Sequence, residues 1–120
     1  MNRKGGRIVS KYMNVKTTID GIMFASKHEA TRYCELKYME RAHLISDLQL
    51  QRVFTLIGEQ RDKDGKIIER PVKYIADFCY KNEKGETVVE DTKSPATRTK
   101  EYVIKRKLML SIYGIRIQEV

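Results

Sequence analysis

Asp77, Asp91 and Lys93 are the residues of this chain whose types and spacing suit chemistry. They sit in Tyr74-Ile75-Ala76-Asp77-Phe78 and, past a Gly-centred turn, in Val88-Val89-Glu90-Asp91-Thr92-Lys93. Two carboxylates and an amine brought together on paired strands are the parts for metal-assisted cleavage of a phosphodiester. A hard cation such as Mg²⁺ takes carboxylate oxygens and keeps waters for a substrate phosphate. A neighbouring ammonium can orient the attacking water or offset charge that builds on phosphorus in the transition state. Because side chains alternate along a strand, Ile75, Asp77 and Cys79 are expected on one face, and Val89, Asp91 and Lys93 on one face of the neighbour, with Glu90 turned away. The bland alternative is a pair of solvated sheet-edge carboxylates balanced by lysines. Against it, Asp77 is flanked by Tyr74, Ile75, Ala76, Phe78, Cys79 and Tyr80, where an uncompensated carboxylate is costly.

The elements that must position these residues are readable from pattern. Thr17 to Phe24 places β-branched and apolar residues around Asp20-Gly21, a hairpin signal. Ser26-Lys27-His28-Glu29 matches a capping box and opens a helix to about Ala42, with Glu29, Tyr33, Leu36 and Glu40 in one stripe. Glu29 has two readings: a capping residue, or a third carboxylate reaching over the sheet. A strand follows over Leu48 to Ile57, then a polar turn at Arg61 to Lys66. Pro71 cannot donate to a ladder, so the next strand is expected over Val72 to Tyr80. Thr87 to Lys93 is the third of this set, ended by Ser94-Pro95. Thr99 to Tyr113 reads as a helix with Tyr102, Val103, Arg106, Leu110 and Tyr113 near one face, closed by Gly114. Ile115 to Val120 alternates as a last strand.

With 120 residues, the expectation is one domain over residues 17–120, preceded by a flexible basic arm, residues 1–16. Lys and Arg number 24 against 16 Asp and Glu, a net +8 that favours a polyanionic partner. Cys34 and Cys79 lack CxxC spacing, and His28 and His43 lack ligand spacing, so no structural zinc site is expected and both thiols read as buried and free. The basic start is followed by no apolar stretch, which argues against a signal peptide or membrane span and places the protein in a cytoplasm.

The order of helix, three strands, helix and strand, carrying Glu29, Asp77, Asp91 and Lys93, resembles the PD-(D/E)XK nucleases. Their α/β core is restriction-endonuclease-like, αβββαβ, with a mixed central sheet flanked by helices. Asp77 matches that family's first aspartate, with Ala76 in place of the usual proline, and Asp91 with Lys93 matches its (D/E)XK element. Glu29 matches the acidic residue of its first helix. Phe24-Ala25-Ser26-Lys27-His28-Glu29, taken with the two strands, is similar to a small phage-borne nuclease family, and in layout to phage junction-resolving and transposon end-cutting nucleases.

The resemblance implies hydrolysis of DNA with Mg²⁺ or Mn²⁺, leaving a 5′-phosphate and a 3′-hydroxyl. Asp77, Asp91 and the Thr92 carbonyl would bind metal, Glu29 would bind it or a second ion through water, and Lys93 would position the nucleophile. Arg98, Lys100, Lys105, Arg106 and Lys107, with Arg3, Lys4, Arg7 and Lys11 in the arm, are candidate phosphate contacts or a solvated face. Gln49 and Gln51 are candidates for the cleft or ordinary surface. The leading expectation is a homodimeric endonuclease selective for branched DNA, since two strands must be cut symmetrically. The alternatives are a nuclease of duplex or single-stranded ends, and a non-catalytic DNA-binding accessory protein on the same fold. A structural or RNA-binding basic domain is less well served, for the chain has no RNP-like aromatic motif.

Overall fold

The computed structural model describes residues 16–93 and 95–120. Arg3, Lys4, Arg7 and Lys11 of the expected arm, and Ser94, lie outside the described residues. The chain divides into two compact units, Met1–His43 and Leu44–Val120.

In the first unit, β1 (Thr17–Ile19) and β2 (Ile22–Phe24) pair antiparallel. Asp20 and Gly21 between them have φ of 53° and 76°, the doubly left-handed turn that suits the twist of a two-residue hairpin. Helix α1 (Lys27–Arg41) starts where the Ser26 hydroxyl accepts the Glu29 N–H at 3.1 Å. Glu29, Tyr33 and Leu36 of the expected stripe are buried, together with Ala30, whereas Glu40 is half-buried. The Tyr33 ring lies 5.0 Å from that of Phe24, and its hydroxyl donates to Asp20 at 2.9 Å, which ties the helix to the hairpin turn. Burial and the Asp20 carboxylate hold the Tyr33 hydroxyl above its ordinary pKa. Cys34 is exposed, contrary to the expectation of a buried thiol, because it falls off the buried stripe.

The second unit contains β3 (Ser46–Ile57), β4 (Gln60–Arg61), β5 (Ile67–Glu69), β6 (Val72–Lys81), β7 (Thr87–Asp91), a 3₁₀ turn (Pro95–Thr97), α2 (Lys100–Tyr113) and β8 (Gln118–Glu119). Its sheet has the order β3-β6-β7-β8, antiparallel at the first two junctions and parallel at the last, and β4 and β5 form a separate ribbon. Among the described residues the protein is thus mixed α/β, with a mixed central sheet and two helices. Among the described residues, no helix is long and apolar enough to cross a membrane.

One turn design is used twice. Asp62 Oδ1 accepts the amides of Asp64 and Lys66, and Asn82 Oδ1 accepts those of Lys84 and Glu86. Gly65 and Gly85 take φ of 84° and 80° at the last turn position, where other side chains are strained. The second turn fixes the β6–β7 register, with Lys81 opposite Thr87 and Phe78 opposite Glu90. Continued by one residue, this register sets Asp77 opposite Asp91, and a slip of one would send the two to different faces.

Phe54, Leu56, Tyr74, Ala76, Cys79, Val89, Tyr102, Met109 and Ile117 form one buried cluster between the sheet and α2. On α2 the buried positions are Tyr102 and Met109, two helical turns apart, whereas Leu110 and Tyr113 of the expected stripe are exposed. Tyr113 lies against the Phe54 ring edge at 5.4 Å and donates to the Thr55 carbonyl. Thr99 caps α2 through the Tyr102 amide, and Gly114 ends it at φ 69°. The last strand is shorter than expected. The Ile115 amide turns back to Met109, and the strand that pairs with β7 is confined to Gln118 and Glu119.

Candidate functional site

The alternation of β6 breaks at Asp77. Tyr74 and Ala76 belong to the buried cluster, and so does Cys79, while Ile75 is 52% exposed. Ile75, Asp77 and Cys79 therefore do not share a face, a correction to the period-two expectation. The cause lies across the ladder. β3 pairs Arg52 with Ala76 and Leu50 with Phe78, and the intervening Gln51 takes φ 54°. A left-handed non-glycine residue costs about 1–2 kcal/mol, and here it falls where the Gln51–Asp77 pair is missing from the ladder. Gln51 Nε2 reaches Asp77 Oδ1 at 3.4 Å.

The strand expected to run to Lys93 ends at Asp91. Thr92 leaves the ladder because its amide and hydroxyl both donate to Asp77 Oδ2, at 2.9 and 2.7 Å. The Asp91 carbonyl is taken by the Val120 amide at 3.0 Å. Lys93 thus reaches the site from the segment beyond the strand, not from a shared strand face.

Each carboxylate has one oxygen held by a short hydrogen bond, besides the longer Gln51 contact to Asp77 Oδ1. Asp77 Oδ2 is held by Thr92, and Asp91 Oδ2 accepts the Tyr74 hydroxyl at 2.8 Å. Asp91 Oδ1 faces the Lys93 ammonium at 3.9 Å. Asp91 is buried. Burial, then a hydrogen bond and charge repulsion from Asp77, push its carboxyl up to about 7, against the smaller opposing effects of Tyr74 and Lys93. Burial and Asp91 also raise the Tyr74 hydroxyl well above its ordinary value. Glu90, as expected, turns away: it pairs with Phe78 and accepts from the Tyr80 hydroxyl.

The Lys93 side chain is 22% exposed, and its ammonium lies 4.6 Å from the centre of the Tyr102 ring. The Tyr102 hydroxyl donates to Glu119 Oε2 at 2.7 Å. Glu119 is also held by Arg98 at 2.7 Å and Arg106 at 3.0 Å. The Tyr102 bond and these guanidinium contacts lower the Glu119 carboxyl, while burial and Glu119 raise the Tyr102 hydroxyl. A cavity of about 320 Å³ opens over the pair, with Lys73, Ile75, Lys105 and Tyr102 among its walls.

Tyr74, Tyr102, Glu119 and Lys73 escape a reading by motif, because a tyrosine or lysine within an apolar pattern carries no spacing signal. Of the candidate DNA contacts, Arg98 is engaged by Glu119 and Lys105 by Glu101 at 3.0 Å. Lys100 is exposed without an ion-pair partner among the described residues. Glu29 occupies the third position of α1, its amide bonded to Ser26, and is 8% exposed. Among the described residues, no three or more His, Cys, Asp or Glu side chains gather as for a metal ion.

No curated protein and no solved structure matches the chain. A family described as "Protein of unknown function (DUF1064)" matches residues 9–117, and the chain belongs to that family.

Proposed function

We propose that this chain is a metal-dependent deoxyribonuclease of the PD-(D/E)XK kind, hydrolysing DNA phosphodiester bonds on the second unit's αβ framework. The observation that carries this reading is the meeting of two anchored carboxylates, Asp77 and Asp91, beside Lys93 in one cavity. The donor set fits a hard divalent ion. Thr92 orients Asp77 through Oδ2 and Tyr74 orients Asp91 through Oδ2, and the repulsion between the two carboxylates is one that a bound cation would relieve. Mg²⁺ is commonly held by one or two carboxylates with water and substrate phosphate completing its shell, so a third carboxylate is not required.

Asp77, Asp91 and, by the resemblance, the Thr92 carbonyl would hold Mg²⁺ or Mn²⁺. When bound, the ion supplies Lewis-acid polarisation of the phosphate and a more acidic water. Thr92 keeps Asp77 oriented, Tyr74 keeps Asp91 oriented, and Lys93 presents positive charge where the phosphoryl oxygens gain negative charge. The Tyr102 ring supports that ammonium from behind.

The likeness in layout to junction-resolving nucleases extends the proposal to branched DNA, cut by a homodimer. The test is incubation with Mg²⁺ or Mn²⁺ and matched four-way, flap, linear duplex and single-stranded substrates. Asp77→Ala and Lys93→Ala should remove cutting and leave DNA binding largely intact. Undiminished cleavage by either variant refutes the assignment, equal cleavage of linear duplex refutes the branched preference, and binding without cutting favours the accessory role.

A further inference from the structure

A second cavity, of about 580 Å³, is lined by Arg106, Lys107, Leu110, Arg116, Ile117 and Glu119. Among the described residues Glu119 is the sole carboxylate that lines it, and that charge is already engaged by Arg98 and Arg106. Lys107 and Arg116 are exposed and have no ion-pair partner among the described residues. The two cations arrive from different elements, α2 and the approach to β8, and converge on one concavity. Such convergence is not expected of a merely solvated helix face, where lysines spread along one element. The same cavity has an apolar wall made of Leu110, 53% exposed, and the buried Ile117.

Paired cations beside an apolar wall suit a phosphate joined to a sugar and base. We propose that this cavity binds a backbone phosphate of the DNA strand, with the adjoining sugar against Leu110 and Ile117. This rests on the nuclease reading for the ligand's identity, not for the site itself. The Tyr102–Glu119–Arg106 chain separates the cavity from the carboxylate pair: Tyr102 lines one and Glu119 and Arg106 line the other. From Tyr102 to Leu110 the helix advances about 12 Å at roughly 1.5 Å per residue. The bound phosphate would lie a few nucleotides from the scissile bond, so this cavity would set the strand's path into the site.

The test measures binding of a short duplex to the full chain in EDTA, across a salt series, for the unaltered protein and for Lys107→Ala with Arg116→Ala. The double variant should bind about tenfold or more weakly, with the slope of log affinity against log salt smaller by about two. Lys107→Arg with Arg116→Lys should retain the slope. An unchanged affinity and slope, or no DNA binding by the unaltered chain, overturns the proposal. A parallel titration with a free deoxynucleoside monophosphate, read by methyl NMR of Leu110 and Ile117, separates the sources. Shifts with the free nucleotide but no effect of the double variant on DNA assign the cavity to a small ligand and also overturn it. Weakened binding in a protein that cuts nothing sinks the nuclease reading alone, whereas normal cutting with unchanged DNA affinity sinks this one alone.

Discussion

Replacing Asp91 by asparagine should stabilise the metal-free protein at pH 8 while abolishing cleavage. The Asp91 carboxyl rises from its ordinary 3.8 to about 7 in the fold. At about 1.36 kcal/mol per tenfold change in proton affinity, this sets an upper limit of roughly 4 kcal/mol on the cost of ionising it in place. The sign follows from which state holds the proton. Below 3.8 the carboxyl is protonated both folded and unfolded, and stability is fully present. As pH rises from there through about 7, the unfolded chain releases its proton first, so stability falls; above about 7 the loss is complete. Asparagine cannot ionise, its oxygen can still accept from Tyr74, and its amide can donate to Asp77. Losing the charge-assisted bond from Tyr74 offsets about 1.5 kcal/mol, which leaves a net gain of about 1–3 kcal/mol. At roughly 4 °C per kcal/mol for a chain of this size, melting in EDTA at pH 8 should rise by about 4–12 °C. At pH 4 the difference should nearly vanish. Equal melting temperatures at pH 8, or a difference that persists undiminished at pH 4, would refute the view of Asp91 as a buried carboxylate strained by Asp77.

Mg²⁺ should raise the melting temperature of the unaltered protein at pH 8, by about 2.7 kcal/mol of stability at a hundredfold excess over its dissociation constant, and should leave Asp77→Ala unmoved in the same scan. Tyr102→Leu should lower kcat about tenfold with little change in KM, since the ring supports Lys93, while Tyr102→Phe should retain most activity; steady-state kinetics on a labelled duplex decide it. Gln51→Val should cost about 1–2 kcal/mol in urea denaturation because a β-branched residue resists positive φ, whereas Gln51→Gly should not.

What the sequence by itself determines is the list of chemical groups and the local geometry that needs no distant partner. Asp20-Gly21, the Asp62 and Asn82 turns, the Ser26 and Thr99 caps and Gly114 act within a few residues, and each appears where its residue type directs. The Asn82 turn even fixes the register that makes Asp77 and Asp91 neighbours. What only the tertiary structure decides is how the strands depart from regular alternation. Gln51 takes its left-handed backbone in the strand paired with β6, remote in sequence, and β6 departs from alternation there, with Ile75 exposed while Ala76 and Cys79 both lie in the buried cluster. Thr92 leaves its strand because Asp77, fifteen residues earlier, offers a better acceptor. Tyr74, Tyr102 and Glu119 gain their partners across the sheet and α2. Period-two reasoning assumes each strand keeps its own hydrogen bonds, and at this site the half-buried Asp77 carboxylate outcompetes the ladder for an amide.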